Sequence, residues 1–406
     1  MRSILEAPAP IEKPISRAPA GRTPLLAFVG DADTERSLRD CCEHLGIADA
    51  TITRGGIAQA IDALSTQRSP ELLIVDISGV ALPVSDINNL AEVCEPGVIV
   101  IAIGDRNEVG LYRDLMHSGV SDYIVKPLTA QLLASALQGH RGTGWSGAIQ
   151  RKLATCVAVV GARGGVGATT LSVNLAWYLA ERQNRRVALI DLDLHNGECT
   201  LALNIKPTPG LREALVNPAR IDNILLERVM APVGQRLFVL SAEEPLRDSI
   251  EFSAEAVETL IGVLRQQFHY VVLDVPRNPG AAYLRALELA DFRIIVVDQT
   301  LRSARDAVRL RSALGEAGGK HHTLFVLNRE GEGGRHAITL DEMQRILDLR
   351  PKAVIPFHPA WFAAALGSGE ILAAARRGKF SDVIAGLALE LSGRAPQPRR
   401  WWQRAR

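Results

Sequence analysis

Cysteine is scarce in this chain of 406 residues, and its thiols are scattered. No two of the five cysteines form a C-x-x-C pair or stand at a spacing typical of a metal site. An odd, scattered set is typical of reduced thiols, so the sequence gives no sign of a disulfide framework. The cysteines are Cys41, Cys42, Cys94, Cys156 and Cys199.

Long apolar segments are also lacking. The longest runs, such as Val98–Ile103 and Ile294–Val297, are far shorter than the roughly 20 residues that a membrane-spanning helix needs. The first residues lack the continuous apolar core of a signal peptide. We therefore expect a soluble, cytoplasmic protein.

The chain has no large excess of positive or negative charge, because it contains 46 Lys and Arg residues and 45 Asp and Glu residues. A basic field over the whole molecule is therefore excluded, and we expect no nucleic-acid partner. The C-terminal tail, residues 393–406, is a local exception, since Trp401 and Trp402 stand among arginines. Such a tail predicts either contact with an anionic membrane surface or a merely solvated end.

Hydrophobic residues make up 47% of the chain, which is enough for packed cores. Short apolar runs alternate with helix-like segments, a pattern that predicts parallel sheets covered on both faces. The predicted strands are Leu25–Val29, Leu72–Val75, Val98–Ile103, Tyr123–Val125, Cys156–Val160, Val187–Ile190, Leu237–Leu240, Tyr270–Leu273, Arg293–Val297, Thr323–Leu327 and Ala353–Ile355.

A glycine-rich stretch separates two such α/β series and marks the best domain boundary. We predict a flexible Pro- and Ala-rich tail at residues 1–23 and a first domain at 24–138. A linker at 139–150 precedes a larger domain at 151–392 and the basic tail at 393–406.

The segment Val159–Leu171 is the most specific motif. An apolar strand runs into Gly164, Gly165 and Gly167, and two threonines then begin an amphipathic helix. Consecutive glycine N–H groups and a helix N-terminus together form a phosphate cradle. Thr169 stands where the hydroxyl of a P-loop binds Mg²⁺.

The usual lysine of such a loop is missing. The pattern G-x-x-x-x-G-K-[ST] places Ala168 at the lysine and Ala162 at the first glycine. A backbone cradle can hold phosphates without the lysine, but loss of one cation where charge develops costs on the order of 10²–10³ in rate. The sequence therefore predicts nucleotide binding with weak or absent hydrolysis.

Three carboxylates follow apolar strands of the second series. Asp191 and Asp193 come at the end of one strand, and Asp274 at the end of another. The carboxyl ends of parallel strands meet beside the phosphate loop, where carboxylates hold Mg²⁺ or a water molecule. Asp191, Asp274 and Thr169 are the predicted metal-site residues.

The loop resembles the deviant Walker A box of the MinD/ParA family, K-G-G-x-G-K-[ST]-[ST], with Arg163 at the first lysine. The resemblance implies ATP and Mg²⁺ as cofactors and a homodimer in which Arg163 reaches the partner's phosphates. It also implies that Asp193 orients the attacking water. The implied nucleotide-binding residues are Arg163, Gly164, Gly165, Val166, Gly167, Ala168, Thr169 and Thr170, with Asn328 and Arg329 at the adenine and Pro356 in the loop over the base.

Later motifs are similar to the CpaE/TadZ branch of that family. They are Leu301–Asp306, Ile338–Leu347 and Ala353–Pro359, and the order of domains agrees with that branch. The resemblance covers about residues 25–392. It implies a receiver-like, flavodoxin-like parallel sheet followed by a larger doubly wound, mostly parallel P-loop NTPase domain. It also implies a polar localisation or assembly factor of the Tad (Flp) pilus, with Tad components as partners.

The first domain resembles a response-regulator receiver that has lost part of its site. Asp76 matches the phosphoacceptor and Lys126 its neutralising lysine, while Asp31 is the one acid left of the metal-binding pair. Ala102 stands where the pattern has a hydroxyl. We therefore expect a vestigial site in an interaction or dimerisation module, with a working phospho-switch as the alternative.

Two other functions remain open from sequence. An active MinD/ParA-type ATPase that positions division or DNA-partition machinery would need efficient turnover, and Ala168 argues against it. An iron–sulfur reductase of the nitrogenase-reductase type shares the loop but needs cysteines at matched positions. Cys156 and Cys199 do not supply them.

Overall fold

A computed structural model describes residues 22–138 and 153–392, apart from residues 45, 46, 48, 279, 316–321, 335, 336, 376 and 377. Residues 1–21 of the predicted tail, the predicted linker 139–150 and the basic tail 393–406 lie outside the described residues. In the part that is described, every helix falls short of the length and hydropathy that a bilayer crossing requires.

The described residues form two series of strands and helices. The strands are β1 Leu25–Val29, β2 Ala50–Arg54, β3 Leu72–Asp76, β4 Ile99–Gly104, β5 Asp122–Val125, β6 Thr155–Gly161, β7 Val187–Asp191, β8 Ala231–Val233, β9 Leu237–Leu240, β10 Tyr270–Val275, β11 Phe292–Val297, β12 His322–Glu330 and β13 Ala353–Pro356. The helices are α1 Ala32–His44, α2 Ile57–Thr66, α3 Pro83–Val93, α4 Val109–His117, α5 Ala130–Gln138, α6 Ala168–Trp177, α7 Cys199–Ala202, α8 Gly210–Val216, α9 Asn223–Val229, α10 Ala254–Leu264, α11 Ala281–Leu289, α12 Leu301–Leu314, α13 Leu340–Leu347, α14 Pro359–Ser368, α15 Leu372–Ala375 and α16 Lys379–Leu391.

The first five strands form one parallel sheet in the order β2-β1-β3-β4-β5. Four of them coincide with predicted strands, because their apolar runs are covered by helices on both faces. Strand β2 was not predicted. It lies at the edge of the sheet and alternates threonine with other residues, so it lacks the apolar run that marked the others.

The second sheet has eight strands in the order β13-β12-β11-β6-β10-β7-β9-β8. All neighbours pair in parallel except β8 and β9, so the sheet is mostly parallel as predicted. Strand β10 lies between β6 and β7. The carboxyl ends of these three strands therefore place the phosphate loop, Asp274 and Asp191 side by side.

Helix α6 is held on nearly all sides, which fixes the helix start that follows the phosphate loop. Leu171, Val173 and Leu175 are buried, and α16 packs on α6 opposite the sheet. Asn174, also buried, donates from Nδ2 to the Thr170 carbonyl and accepts at Oδ1 from the N–H of Ala373. Since buried polar groups are costly when unpaired, this amide stabilises one orientation of the helix.

A buried ion cluster joins the two sheets. The Glu95 carboxylate, from the loop after α3, lies 3.1 Å from Arg22 and 3.4 Å from Arg186, which precedes β7. The Arg186 guanidinium also stacks over Phe238 and Phe268. Close by, His269 Nε2 lies 2.8 Å from the Cys94 carbonyl. The domain limits at residues 23, 138, 150 and 392 stay predictions.

Candidate functional site

The phosphate loop turns sharply between β6 and α6, and two glycines make the turn. Gly165 and Gly167 have φ angles of +76° and +91°, a region that residues with a side chain rarely adopt. A Cβ atom on Gly167 would lie 2.4 Å from Nδ2 of Asn328, whereas one on Gly164 would meet nothing within 4 Å. The loop therefore needs glycine at 167 for its shape and for its packing.

Asn328 and Arg329 brace this loop from the end of β12, which lies two strands away from β6 in the sheet. Asn328 Nδ2 donates to the Val166 carbonyl at 2.8 Å, and Arg329 Nη1 donates to the Gly165 carbonyl at 3.0 Å. Both residues lie where the pairing of β12 with β13 shifts its register, and Arg329 has a φ of +57°. The irregularity turns both side chains toward the loop, so they support its backbone. Their predicted contact with adenine stays a prediction, as does the role of Pro356 at the end of β13.

The start of α6 presents hydroxyl groups rather than a cation. Ala168 is the first residue of the helix, and Thr169 and Thr170 follow it, all of them partly exposed. One turn on, the buried Ser172 hydroxyl donates to Asp274 Oδ1 at 2.9 Å. The N-terminus of a helix favours negative charge, so this end suits phosphate even without lysine.

Asp274 and Asp191 form a buried acidic pair beside the loop. Burial raises the pKa of Asp274 to about 7, and the nearby Asp191 carboxylate acts in the same direction. Burial also raises the pKa of Asp191, although its oxygens accept from the N–H groups of Asp193 and Cys199 at 3.1 Å each. Bringing two carboxyl groups together out of water disfavours the doubly charged state, so a cation bound here would be strongly attracted.

The donor set suits a hard cation. Ligand atoms of Asp191, Asp274 and Cys199 all lie within 4.8 Å of one another. Burial and the two carboxylates raise the pKa of the Cys199 thiol well above its ordinary value, so it stays protonated and is a poor ligand. The oxygens of Asp274 and of the Thr169 hydroxyl remain, and oxygen is what Mg²⁺ prefers. These residues fit the predicted Mg²⁺, which would supply charge neutralisation at bound phosphates.

A cleft of about 380 Å³ opens above the loop. Its walls contain the whole run from Arg163 to Thr170, together with Asp193 and Asp274. Asp193 accepts from the Asn196 N–H at 2.9 Å, a contact that restrains its carboxylate in the cleft wall. The structure thus brings the predicted loop together with Thr169 and Asp274 of the predicted metal site and with Asp193, whereas Asp191, Asn328 and Arg329 do not line the cleft.

Arg163 does not point into open solvent. Its Nη1 lies 2.7 Å from Oδ2 of Asp306, a residue of α12 whose side chain is 2% exposed. Three more arginines lie within 4.0 Å of the same carboxylate: Arg277, Arg305 and Arg309. Burial acts to raise the pKa of Asp306, but these guanidinium groups hold it below its ordinary value. One carboxylate beside the cleft is therefore surrounded by an excess of positive charge.

The carboxylates that the sequence predicts as a vestigial receiver site are joined by an internal ion pair. Lys126 Nζ donates to Oδ2 of Asp31 and to Oδ2 of Asp76, at 2.6 Å each. The N–H of Gly30 also donates to Asp76 at 2.9 Å. Burial acts to raise the pKa of Asp76, but Lys126 and the N–H groups hold it lower, and Lys126 holds the pKa of Asp31 far below its usual range. The ammonium group thus lies between the carboxylates where a receiver would hold a metal ion.

Sequence reasoning missed several residues of the main site. Ser172 and Cys199 were not assigned to the Asp274 carboxyl group, and Arg277 and Asp306 received no role. Arg277 could have been found, since it lies two positions after the carboxyl end of β10, a strand of the parallel sheet. Asp306 could not, because its contact with Arg163 spans 143 positions of the chain.

A family model described as an AAA domain matches residues 154–316. The septum site-determining protein MinD of Synechocystis sp. is 30% identical over 156 residues, which is 38% of this chain and 57% of that protein. MinD of Helicobacter pylori is 27% identical over 214 residues, which is 50% of this chain and 78% of that protein. The chain thus spans little more than half of the first relative's length.

Solved structures agree on the fold of the second sheet. A ParA family ATPase from Chlorobium tepidum superposes with a TM-score of 0.53 and 22% identity, covering 59% of this chain and 98% of that one. MinD complexed with Mg-ADP from Pyrococcus horikoshii gives 0.51 and 22%, with coverage of 59% and 96%. The pilus assembly protein CpaE of Caulobacter crescentus is 29% identical over 28% of this chain and 90% of that one. Its TM-score of 0.27 is too low to carry an argument.

Over part of its length the chain is therefore similar to ATPases of the MinD/ParA type. The predicted fold class is confirmed, since a parallel sheet precedes a large, mostly parallel sheet with the MinD/ParA fold.

Proposed function

We propose that this chain binds ATP with Mg²⁺ in the cleft above residues 163–170 and hydrolyses it weakly or not at all. The observation that carries the proposal is the complete backbone cradle: Gly165 and Gly167 keep their left-handed conformations, and Asn328 and Arg329 brace the loop. The relatives and the fold are consistent with such a ligand, and one similar structure holds Mg-ADP.

Weak turnover follows from the charges at the cradle. Ala168 offers no cation, and Arg163 is engaged by Asp306 within the chain. Stabilisation of charge on the transferred phosphoryl group is the main task of such a site, so a site that lacks its lysine is poorly equipped for it. Asp193 remains in place to orient a water molecule, which leaves the chemistry slow rather than impossible.

In this scheme ATP acts as a ligand that favours one assembly state. A ligand shifts an equilibrium only by its difference in affinity for the two states, and a homodimer with ATP at its interface would provide that difference. By its resemblance to the CpaE/TadZ branch, we place the chain in the cytoplasm as a localisation and assembly factor of the Tad pilus. The receiver-like sheet would recruit partners at the cell pole or inner-membrane face.

Measurement of ATP binding and hydrolysis side by side tests the proposal. We expect saturable binding and negligible turnover by the unaltered chain, and a gain in turnover for Ala168→Lys, which restores the missing cation. Turnover like that of ordinary P-loop ATPases in the unaltered chain would favour the alternative, an active MinD/ParA-type ATPase that positions division or DNA-partition machinery.

Two further experiments test the proposed role in pilus assembly and the proposed membrane contact. Replacing the chromosomal copy with Gly167→Ala should reduce Tad pili on the cell surface, and normal pili would reject the assembly role. Co-sedimentation with anionic liposomes, with and without residues 394–406, tests the membrane contact. Equal pelleting of the two forms would remove that contact.

A further inference from the structure

The cleft has a shortage of positive charge at the place where a triphosphate needs it. Among the described residues that line it, only Arg163 and Arg277 are cationic, whereas Asp193, Glu198 and Asp274 are acidic. Ala168 removes the cation that a P-loop usually provides at the outer phosphates. Mg²⁺ alone leaves part of the charge of a bound triphosphate unmatched, so an arginine of the cleft wall would strengthen the binding that the backbone cradle provides.

Both arginines form an ion pair with Asp306, and Arg163 is the more tightly held of the two. Its Nη1 lies 2.7 Å from the buried Asp306 Oδ2, the distance of a strong charged hydrogen bond. Arg277 Nη2 is 3.6 Å from that same oxygen, and its side chain is half exposed. Within the described part of the chain, no hydrogen bond from Arg277 is found. Arg277 can therefore move toward the cleft without losing a direct hydrogen bond.

The fold holds Arg277 beside the phosphate site. Pro276 and Arg277 follow directly from β10, which pairs with β6, and β6 runs into the phosphate loop. Arg277 thus lines the same cleft as Thr169 and Asp274. A guanidinium group is planar and forms two parallel hydrogen bonds to phosphate oxygens. It can therefore replace the ammonium group of the usual lysine, even though it approaches the phosphates from another direction.

We propose that Arg277 binds the outer phosphates of ATP and supplies, from the strand beside the loop, the positive charge that Ala168 lacks. This inference rests on the proposed ATP binding. In this inference Arg277 contacts the ATP bound by its own chain. The resemblance, by contrast, implies that Arg163 contacts the ATP bound by the partner subunit. The inference also predicts that Arg277 matters more for ATP than for AMP, because AMP has no outer phosphates.

The experiment measures dissociation constants of the full chain for ATP and AMP with Mg²⁺ by calorimetry. We expect Arg277→Ala to weaken ATP binding on the order of tenfold, about 1.4 kcal/mol, and to leave AMP binding nearly unchanged. Arg305→Ala is the matched control, since Arg305 lies 3.2 Å from Asp306 but does not line the cleft. It should bind both nucleotides like the unaltered chain.

Rescue distinguishes a phosphate contact from a structural role. The double variant Arg277→Ala with Ala168→Lys should regain ATP affinity, because a lysine at the usual position replaces the lost charge. Equal ATP affinity of Arg277→Ala and the unaltered chain would overturn the inference while leaving the proposed function intact. An equal loss in Arg305→Ala, or no rescue by lysine, would also overturn it. Absence of ATP binding by the unaltered chain would reject the proposed function itself.

Discussion

Arg163 Nη1 lies 2.7 Å from Asp306 Oδ2, so the arginine of the phosphate loop is tied to helix α12 of its own chain. The resemblance to deviant Walker A proteins assigns Arg163 to the nucleotide of a partner subunit. In the conformation described, reaching a partner would first require that this ion pair be broken. Asp306 therefore controls both the position of Arg163 and the balance of charge in the arginine cluster.

Asp306→Asn should destabilise the protein by leaving four guanidinium groups close together without their shared carboxylate. We expect the variant to have a lower thermal midpoint than the unaltered chain. The decrease should be smaller at high salt, because salt screens the repulsion between the arginines: the Debye length falls from about 10 Å at 0.1 M to about 3 Å at 1 M. Differential scanning fluorimetry at the two salt concentrations measures this. Arg309→Gln is the control, because Arg309 is 73% exposed and 4.0 Å away. A loss that does not depend on salt would contradict the electrostatic explanation.

Gly167→Ala should abolish tight nucleotide binding. Alanine at a φ of +91° is strained by roughly 1–2 kcal/mol. Its Cβ would also displace the Asn328 amide that braces the loop. We expect at least a tenfold weaker affinity, measured with a fluorescent ATP analogue. Gly164→Ala meets no protein atom within 4 Å and should weaken binding much less than Gly167→Ala does. Equal binding by both variants would mean that the loop does not form the site.

Asp76 should resist phosphorylation. Lys126 already bridges Asp31 and Asp76 at 2.6 Å. The resemblance to receivers also places Ala102 where their pattern has a hydroxyl. Intact-mass measurement after treatment with acetyl phosphate and Mg²⁺ should show little labelling. Stoichiometric labelling of Asp76 that also moves a binding equilibrium would instead establish the phospho-switch.

His269 should make stability depend on pH at the contact between the two sheets. Burial and the nearby Arg185 lower its pKa from 6.5 to about 4, while the Cys94 carbonyl and Glu95 act against the shift. The folded state therefore resists protonation, and the unfolded chain does not. The stabilisation is complete above about pH 6.5 and is lost as the pH falls toward 4, by at most about 1.4 kcal/mol per pH unit.

The variant His269→Gln tests this, because glutamine keeps a donor for the Cys94 carbonyl and an acceptor for the N–H of Arg186. Urea unfolding between about pH 4 and pH 7 should show a smaller fall in the free energy of unfolding for the variant than for the unaltered chain. Parallel pH curves for the two proteins would show that His269 does not contribute.

The strands were predicted where sequence and burial coincide. Runs such as Leu25–Val29 and Leu237–Leu240 are wholly buried and were located to the residue. Edge strands β2 and β8 were missed, since no residue of either strand is fully buried and the apolar signal disappears. Local pattern thus predicts the interior of a parallel sheet better than its margins.

In the candidate site, too, local features could be predicted from the sequence and long-range contacts could not. The order of strand, glycines and threonines in residues 159–171 is local, so the phosphate loop could be predicted from sequence. The contacts that hold it are distant: Asn328 reaches Val166 across 162 positions, and Ser172 reaches Asp274 across 102. Such pairs depend on which strands become neighbours, and a single sequence does not carry that information.

Titration calorimetry of the full chain with ATP and Mg²⁺ tests the central claim most directly. The account predicts a saturable heat of binding that Gly167→Ala loses and that Gly164→Ala still shows. The absence of any heat with ATP or ADP, or equal heats in the two glycine variants, would contradict a backbone cradle that holds phosphates without its lysine.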